Sequence, residues 1–73
     1  MLGEFYKGYH IIGSGVYAED PAGWTPKVTI YPPVRITLTP TVLVGAAGAF
    51  RTQSEAEEEA IRIGKEWVDH RGR

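Results

Sequence analysis

The side chains that could carry out acid–base or nucleophilic chemistry are few and lie far apart in the chain. His10 and His70 stand near opposite ends of the 73 residues, the serines are Ser14 and Ser54, and there are no cysteines. A nucleophile needs a positioned base beside it, and a metal site needs several ligands at suitable spacing. The sequence therefore predicts no enzymatic activity, no catalytic residue, no metal site and no cofactor.

Gly13 and Gly15 flank Ser14 in a short glycine motif. A dinucleotide-binding loop needs a third glycine and a helix directly after it, and both are missing from this part of the sequence. We therefore interpret the two glycines as a bulge or kink within a strand.

Four glutamates, Glu55, Glu57, Glu58 and Glu59, open the last segment of the chain. Carboxylates are favourable near the positive end of a helix dipole, so we interpret them as a solvated first turn and not as a cation site. Glu57 alone falls inside the apolar arc of the predicted helix. It either overhangs the sheet or meets a basic partner.

Composition and charge narrow the class of protein further. Eight basic and nine acidic residues give a net charge of −1, and 42% of the residues are hydrophobic. These values indicate one globular domain over residues 1–73 without a strong field for polyanions or acidic membranes. The longest uncharged stretch, residues 36–50, is too short for a membrane helix, and no signal sequence is evident. We expect a cytoplasmic protein.

The first 50 residues have the composition of strands and turns. A first strand is predicted over residues 4–12, with a possible continuation at Val16 and Tyr17, followed by a turn over residues 19–23. The second strand, residues 24–31, alternates between apolar residues and Thr25, Lys27 and Thr29. The third, residues 35–44, directs Ile36, Leu38, Val42 and Val44 to the core, and its threonines to solvent.

From residue 51 onward the pattern predicts a helix that reaches residue 71. Thr52 and Glu55 form a capping box at its start, with Ser54 as an alternative cap. Ala56, Ala60 and Gly64 follow at intervals of four and form a smooth ridge that lets the helix approach a sheet closely. The fold class is therefore α+β: a three-stranded antiparallel β-meander with the C-terminal helix on one face. The predicted core consists of Trp24, Val28, Ile30, Ile36, Leu38, Val42, Phe50, Ala56, Ala60, Ile63, Gly64 and Trp67.

Several motifs along nearly the whole chain carry a resemblance to a known group of proteins. They are Tyr6, Gly8-Tyr9, Gly23-Trp24, the run Phe50-Arg51-Thr52 with Glu55-Ala56, and Trp67-Val68-Asp69. This pattern resembles short bacterial proteins, a domain of unknown function, with three strands and one helix. The element order is also similar to the amino-terminal DNA-binding domain of tyrosine recombinases and to the plant ethylene-response-factor domain. That similarity implies a sheet face that contacts phosphates and bases.

Two surfaces follow as candidates for function. The uncharged segment Thr41, Val42, Leu43 and Val44 lacks a lysine that would guard a strand edge, so it predicts strand addition from a protein partner or from a second copy. The alternative is weak nucleic-acid binding by the exposed sheet face. Its candidate residues are Lys7, Lys27, Tyr31 and Arg35. Two or three cations are few for that role, which favours the protein-interaction module.

Overall fold

The computed structural model describes residues 1–33 and 39–71, which form an antiparallel four-stranded sheet and one helix. The strands follow one another in the sheet in chain order. They are β1 (Leu2–Tyr6), β2 (Tyr9–Glu19), β3 (Ala22–Tyr31) and β4 (Thr41–Val44), and the helix α1 is Gln53–Arg71. The α+β class, the antiparallel meander and the C-terminal helix are confirmed. The number of strands is four instead of three.

The additional strand arises because the first predicted strand is a hairpin. Lys7 and Gly8 connect β1 to β2 as a two-residue turn with φ values of 50° and 86°. Positive φ at both central positions is the geometry of a type I′ turn, which matches the twist of the two strands that it joins. The prediction of one strand over residues 4–12 was therefore wrong, because Gly8 supplies a turn.

Gly13 and Gly15 lie in an uninterrupted part of β2, so their interpretation as a bulge or kink was wrong. Gly13 pairs with Val28 and Gly15 with Pro26 in a continuous register. A Cβ atom at Gly13 would lie 2.7 Å from the main-chain oxygen of Glu57, and one at Gly15 would lie 2.9 Å from that of Gln53. The glycines therefore allow the first half of α1 to rest directly on the sheet.

In β4 the inward-facing and outward-facing residues are the reverse of the prediction. Thr41 pairs with Ile30 and Leu43 with Val28, and both of these partners are buried beneath the helix. Directly paired residues share one face of a sheet, so Thr41 and Leu43 turn inward while Val42 and Val44 turn to solvent. The predicted core position of Val42 was wrong. The part of the predicted strand that contains Arg35, Ile36 and Leu38 lies outside the described residues.

The helix begins where its capping residue predicts. The hydroxyl of Thr52 accepts a hydrogen bond of 3.1 Å from the main-chain N–H of Glu55. On the solvent side, Arg62 forms ion pairs with Glu59 at 2.6 Å and with Glu66 at 3.4 Å. His70 Nδ1 lies 2.8 Å from the main-chain oxygen of Glu66 and so helps to close the last turn.

The core lies between α1 and the two central strands. Its buried cluster contains Ile11, Val28, Ile30, Ala60, Ile61 and Val68. The predicted residues Trp24, Phe50, Ile63 and Trp67 are half-buried, and Trp67 meets the ring of Tyr9 edge to face at 6.1 Å. Ile11 is fully buried but was missed, because it was assigned to a strand without a defined inward face.

Polar contacts join β1 to the helix. The carboxylate of Asp69 accepts hydrogen bonds from Lys7 Nζ at 2.6 Å and from the hydroxyl of Tyr6 at 2.9 Å. The hydrogen bond from Lys7 lowers the pKa of Asp69 and, in turn, Asp69 raises the pKa of Lys7. Glu57 is 8% exposed and pairs with the amino group of Met1, so it meets a basic partner.

Candidate interaction surface

No other described helix or strand packs on the side of the sheet opposite α1. We call this side the open face and define it by its apolar and aromatic side chains. The larger ones are Phe5, His10, Ile12, Val16, Tyr31, Val42 and Val44. Alternate strand residues point to opposite faces, and their neighbours Ile11, Gly13 and Val28 contact the helix, so this assignment follows from the register.

Three aromatic side chains form a row across β1, β2 and β3 at one end of the open face. Phe5 stacks on His10 with ring centroids 4.4 Å apart and an interplanar angle of 13°. The ring centroid of His10 in turn lies 6.2 Å from that of Tyr31. Phe5 stands at the outer end and is 76% exposed. The row therefore offers π surfaces to a partner at the edge of the sheet.

An aliphatic area continues from this row along the strands. Ile12 pairs with Thr29, which pairs with Val42 in the edge strand. Val42 is 49% exposed and Val44 is 64% exposed. Branched side chains side by side on three neighbouring strands form a continuous apolar surface, so the exposed valines belong to a patch.

The open face is nearly free of charge. Lys27 is the one Lys, Arg, Asp or Glu side chain among the described strand residues that point to this side. The surface is also less rich in hydroxyl groups than predicted. Thr25 is buried, and its hydroxyl accepts a hydrogen bond of 3.0 Å from the main-chain N–H of Gly48. Thr41 points to the other side, so the prediction of solvent-facing threonines was wrong for Thr25 and Thr41, whereas Thr29 does lie on the open face.

The residues proposed for nucleic-acid contact do not converge. Lys27 and Tyr31 share the open face, separated on β3 by Thr29. Lys7 lies in the β1–β2 turn, where its ammonium group is engaged with Asp69. Arg35 lies outside the described residues. The structure thus brings two of the four predicted residues to one surface and directs a third toward the end of the helix.

The predicted interaction segment forms an edge of the described sheet, since β4 pairs with β3 alone. The N–H of Gly45 donates to the carbonyl of Pro26 at 2.8 Å. This bond sets the alternation of the antiparallel ladder, so Thr41 and Leu43 direct their backbone groups to β3. Val42 and Val44 direct theirs away from the sheet, which leaves two outward N–H groups and two outward carbonyls.

Sequence inspection missed Phe5, His10 and Ile12 as members of this surface. The missing step was the turn at Lys7 and Gly8. Gly8 was a weak signal of that turn, because Lys7 is not one of the residues, Asn, Asp or Gly, that usually precede the glycine in a two-residue hairpin. A turn at this position places the three side chains on one face.

Within residues 1–33 and 39–71, no group of three or more His, Asp or Glu side chains could hold a metal ion. His10 is part of the aromatic row, whereas His70 is at the end of the helix. No helix among the described residues combines the length and the apolar character that a membrane crossing requires.

Comparison of the chain with protein-family models gave no match, and a search of curated proteins gave no relative.

Proposed function

We propose that this chain is a non-enzymatic interaction module that binds a protein surface through the open face, with the β4 edge beside it. The observation that supports this most strongly is the exposure of Phe5, Val42 and Val44 on a face with a single described cation. Contiguous exposed apolar patches are typical of protein contacts, because burying them removes apolar surface from water.

A comparison of free energies favours the open face over the β4 edge as the main source of binding affinity. Two copies of β4 that paired through Val42 and Val44 would form at most about four backbone hydrogen bonds, each with a net value of about 1 kcal/mol. Association costs about 4–15 kcal/mol in lost freedom of motion. Apolar area contributes about 25 cal/mol per Å², so burying about 500 Å² supplies about 12 kcal/mol. The open face must therefore supply most of the binding free energy, and hydrogen bonds at the β4 edge would only orient the partner.

Photo-cross-linking tests this proposal directly. A photoreactive phenylalanine at position 5 stands at the exposed end of the aromatic row. The same group at Tyr17, which is exposed on the opposite side of β2, is the matched control. In cells that express the full chain, we expect covalent protein adducts from position 5 and few from position 17. The absence of protein adducts from position 5 would contradict the proposal.

The aromatic row supports a second candidate, weak binding of single-stranded nucleic acid. Phe5, His10 and Tyr31 resemble the stacking platforms on which unpaired bases lie, each worth about 1–3 kcal/mol. Lys27 lies on the same face, four residues along β3 from Tyr31, and it supplies at most one phosphate contact, which implies weak affinity with a small salt dependence.

This second candidate has its own measurement. Labelled single-stranded and duplex oligonucleotides should be retarded by the chain at low salt, and a Phe5→Ala variant should lose the effect for the single strand. Lack of retardation at about 50 μM protein would rule out useful binding by stacking on this face.

A further inference from the structure

We propose that the protein surface bound by the open face is that of a second copy of this chain, packed sheet against sheet around a two-fold axis. This inference rests on the proposed function and names its partner. Each copy contributes the same patch to such an isologous contact, so the patch must be complementary to itself. Three properties of the open face meet that requirement.

The first property is area. The 30 residues of the four strands each occupy about 16 Å² of sheet plane, from spacings of about 3.3 Å along a strand and 4.8 Å between strands. Each copy can therefore bury about 480 Å² of flat sheet area, without counting the additional surface of its projecting side chains. Two copies together reach about 960 Å², close to the threshold of about 1,000 Å² for a biological interface and in the range of weak, transient contacts.

The second property is charge. A specific partner of a different sequence is commonly selected by complementary charges, and the described strand residues of the open face carry only Lys27. The same near-neutrality permits self-association, because no row of like charges would meet its copy. An axis along the strands, between β2 and β3, places Lys27 over Ser14 of the other copy, so the two Lys27 side chains are offset sideways by one strand spacing of about 4.8 Å and do not meet head-on.

The third property is shape. The same axis places β1 of each copy over β4 of the other. Residues keep their level along the strands, so Val42 stands over Gly3 of the other copy, which has no side chain in its way, and the protruding ring of Phe5 lies two residues further along β1. Aligned sheet packing at about −30° interdigitates side chains in this way and gives a layer about 10 Å thick. The aromatic edge and the valine edge complement each other twice in the same dimer.

Sedimentation velocity of the full chain from 1 μM to 1 mM tests the dimer. Val42→Lys introduces a charge into the face at a half-exposed position that does not contribute to the core. Tyr17→Lys introduces the same charge on the opposite side. We expect the wild type and Tyr17→Lys to dimerise with dissociation constants within about threefold of each other, and Val42→Lys to weaken the dimer by at least about 100-fold.

Val44→Pro separates the face from the edge. It keeps an apolar side chain but removes one of the two outward N–H groups of β4. We expect its dissociation constant to stay within about threefold of the wild-type value. If Val44→Pro lost the dimer while Val42→Lys kept it, the two copies would associate by pairing their β4 edges, and packing through the open face would be overturned. Chemical-shift spectra must first show that each variant is folded.

Engineered thiols test the axis, because the chain has no cysteine of its own. An equimolar mixture of Gly3→Cys and Val42→Cys chains, treated with a bismaleimide linker that spans about 10 Å, should form the mixed cross-link faster than either chain cross-links to itself. Faster cross-linking of Gly3→Cys chains to one another would overturn the proposed axis.

The outcomes also separate this inference from the proposed function. A wild-type chain that remains monomeric at 1 mM overturns the self-association. If position 5 nevertheless cross-links to a different protein in cells, the interaction module stands with another partner. If it cross-links to nothing, or to nucleic acid, the proposed function fails as well.

Discussion

Gly64 of the helix lies directly against Ile11 of the sheet: a Cβ atom at position 64 would stand 2.6 Å from Ile11 Cγ2 and 3.0 Å from Val28 Cγ2. Glycine in a helix costs about 1 kcal/mol relative to alanine. The close approach explains why the residue nevertheless suits this position, since any side chain would push the helix away from its two buried neighbours.

Gly64→Ala should therefore destabilise the fold by about 1–3 kcal/mol, although alanine favours helix formation. Urea unfolding followed by circular dichroism measures the change. Glu58→Ala, at an exposed position of the same helix, is the control and should change the free energy of unfolding by less than about 0.5 kcal/mol. A more stable Gly64→Ala protein would show that the helix and sheet are not in close contact here.

Gly13→Ala tests the same contact from the side of the sheet. Its methyl group would meet the main-chain oxygen of Glu57, which cannot rotate away, so we expect a loss of about 2 kcal/mol. Gly3→Ala on the neighbouring strand is the matched control. Its nearest neighbour would be His10 Nε2 at an ordinary 3.6 Å, so it should be tolerated. Equal thermal midpoints for the two variants would contradict the close packing of α1 on β2.

The helix cap provides a local test of where α1 begins. Thr52→Ala removes the hydroxyl that accepts the N–H of Glu55, and should lower the free energy of unfolding by about 1 kcal/mol. Ser54→Ala lies just inside the helix and should have an effect below about 0.5 kcal/mol. A larger effect at Ser54 would place the start of the helix two residues later.

Stability in acid should depend on the contact between Asp69 and β1. The pKa of Asp69 is lowered in the folded chain by Lys7 and Tyr6, so the contact contributes fully above the unfolded pKa of about 3.9 and is lost as the pH falls below it. Urea midpoints from pH 7 to pH 2.5 should fall less steeply for Asp69→Asn than for the wild type. Asp20→Asn, in the β2–β3 turn, removes a carboxylate elsewhere and should keep the wild-type slope.

The helix could be predicted because its signals are local. A capping threonine and an apolar arc of alanines and glycine define both its start and its buried side, and the structure places Ala56, Ala60 and Gly64 against the sheet. The inward side of β3 was also predictable, since Val28 and Ile30 alternate with polar residues.

The face of β4 was not predictable, because the register of a strand depends on its partner. Alternation counted through Pro40 pointed Val42 inward, whereas pairing with Ile30 and Val28 turns Thr41 and Leu43 inward. A shift of one residue reverses every side chain of a strand. This reversal is also why the open face is apolar, so the candidate site depended on the information that the sequence held least clearly.

The alternation of backbone groups in β4 has a consequence for the behaviour of the protein in concentrated solution. Only Val42 and Val44 turn their amides outward, so this edge offers an incoming chain a template of two residues. Runaway stacking into fibrils needs a longer ladder, commonly six or seven residues. Association through the β4 edge should therefore stop at small, soluble assemblies, even though Val42 and Val44 expose apolar side chains.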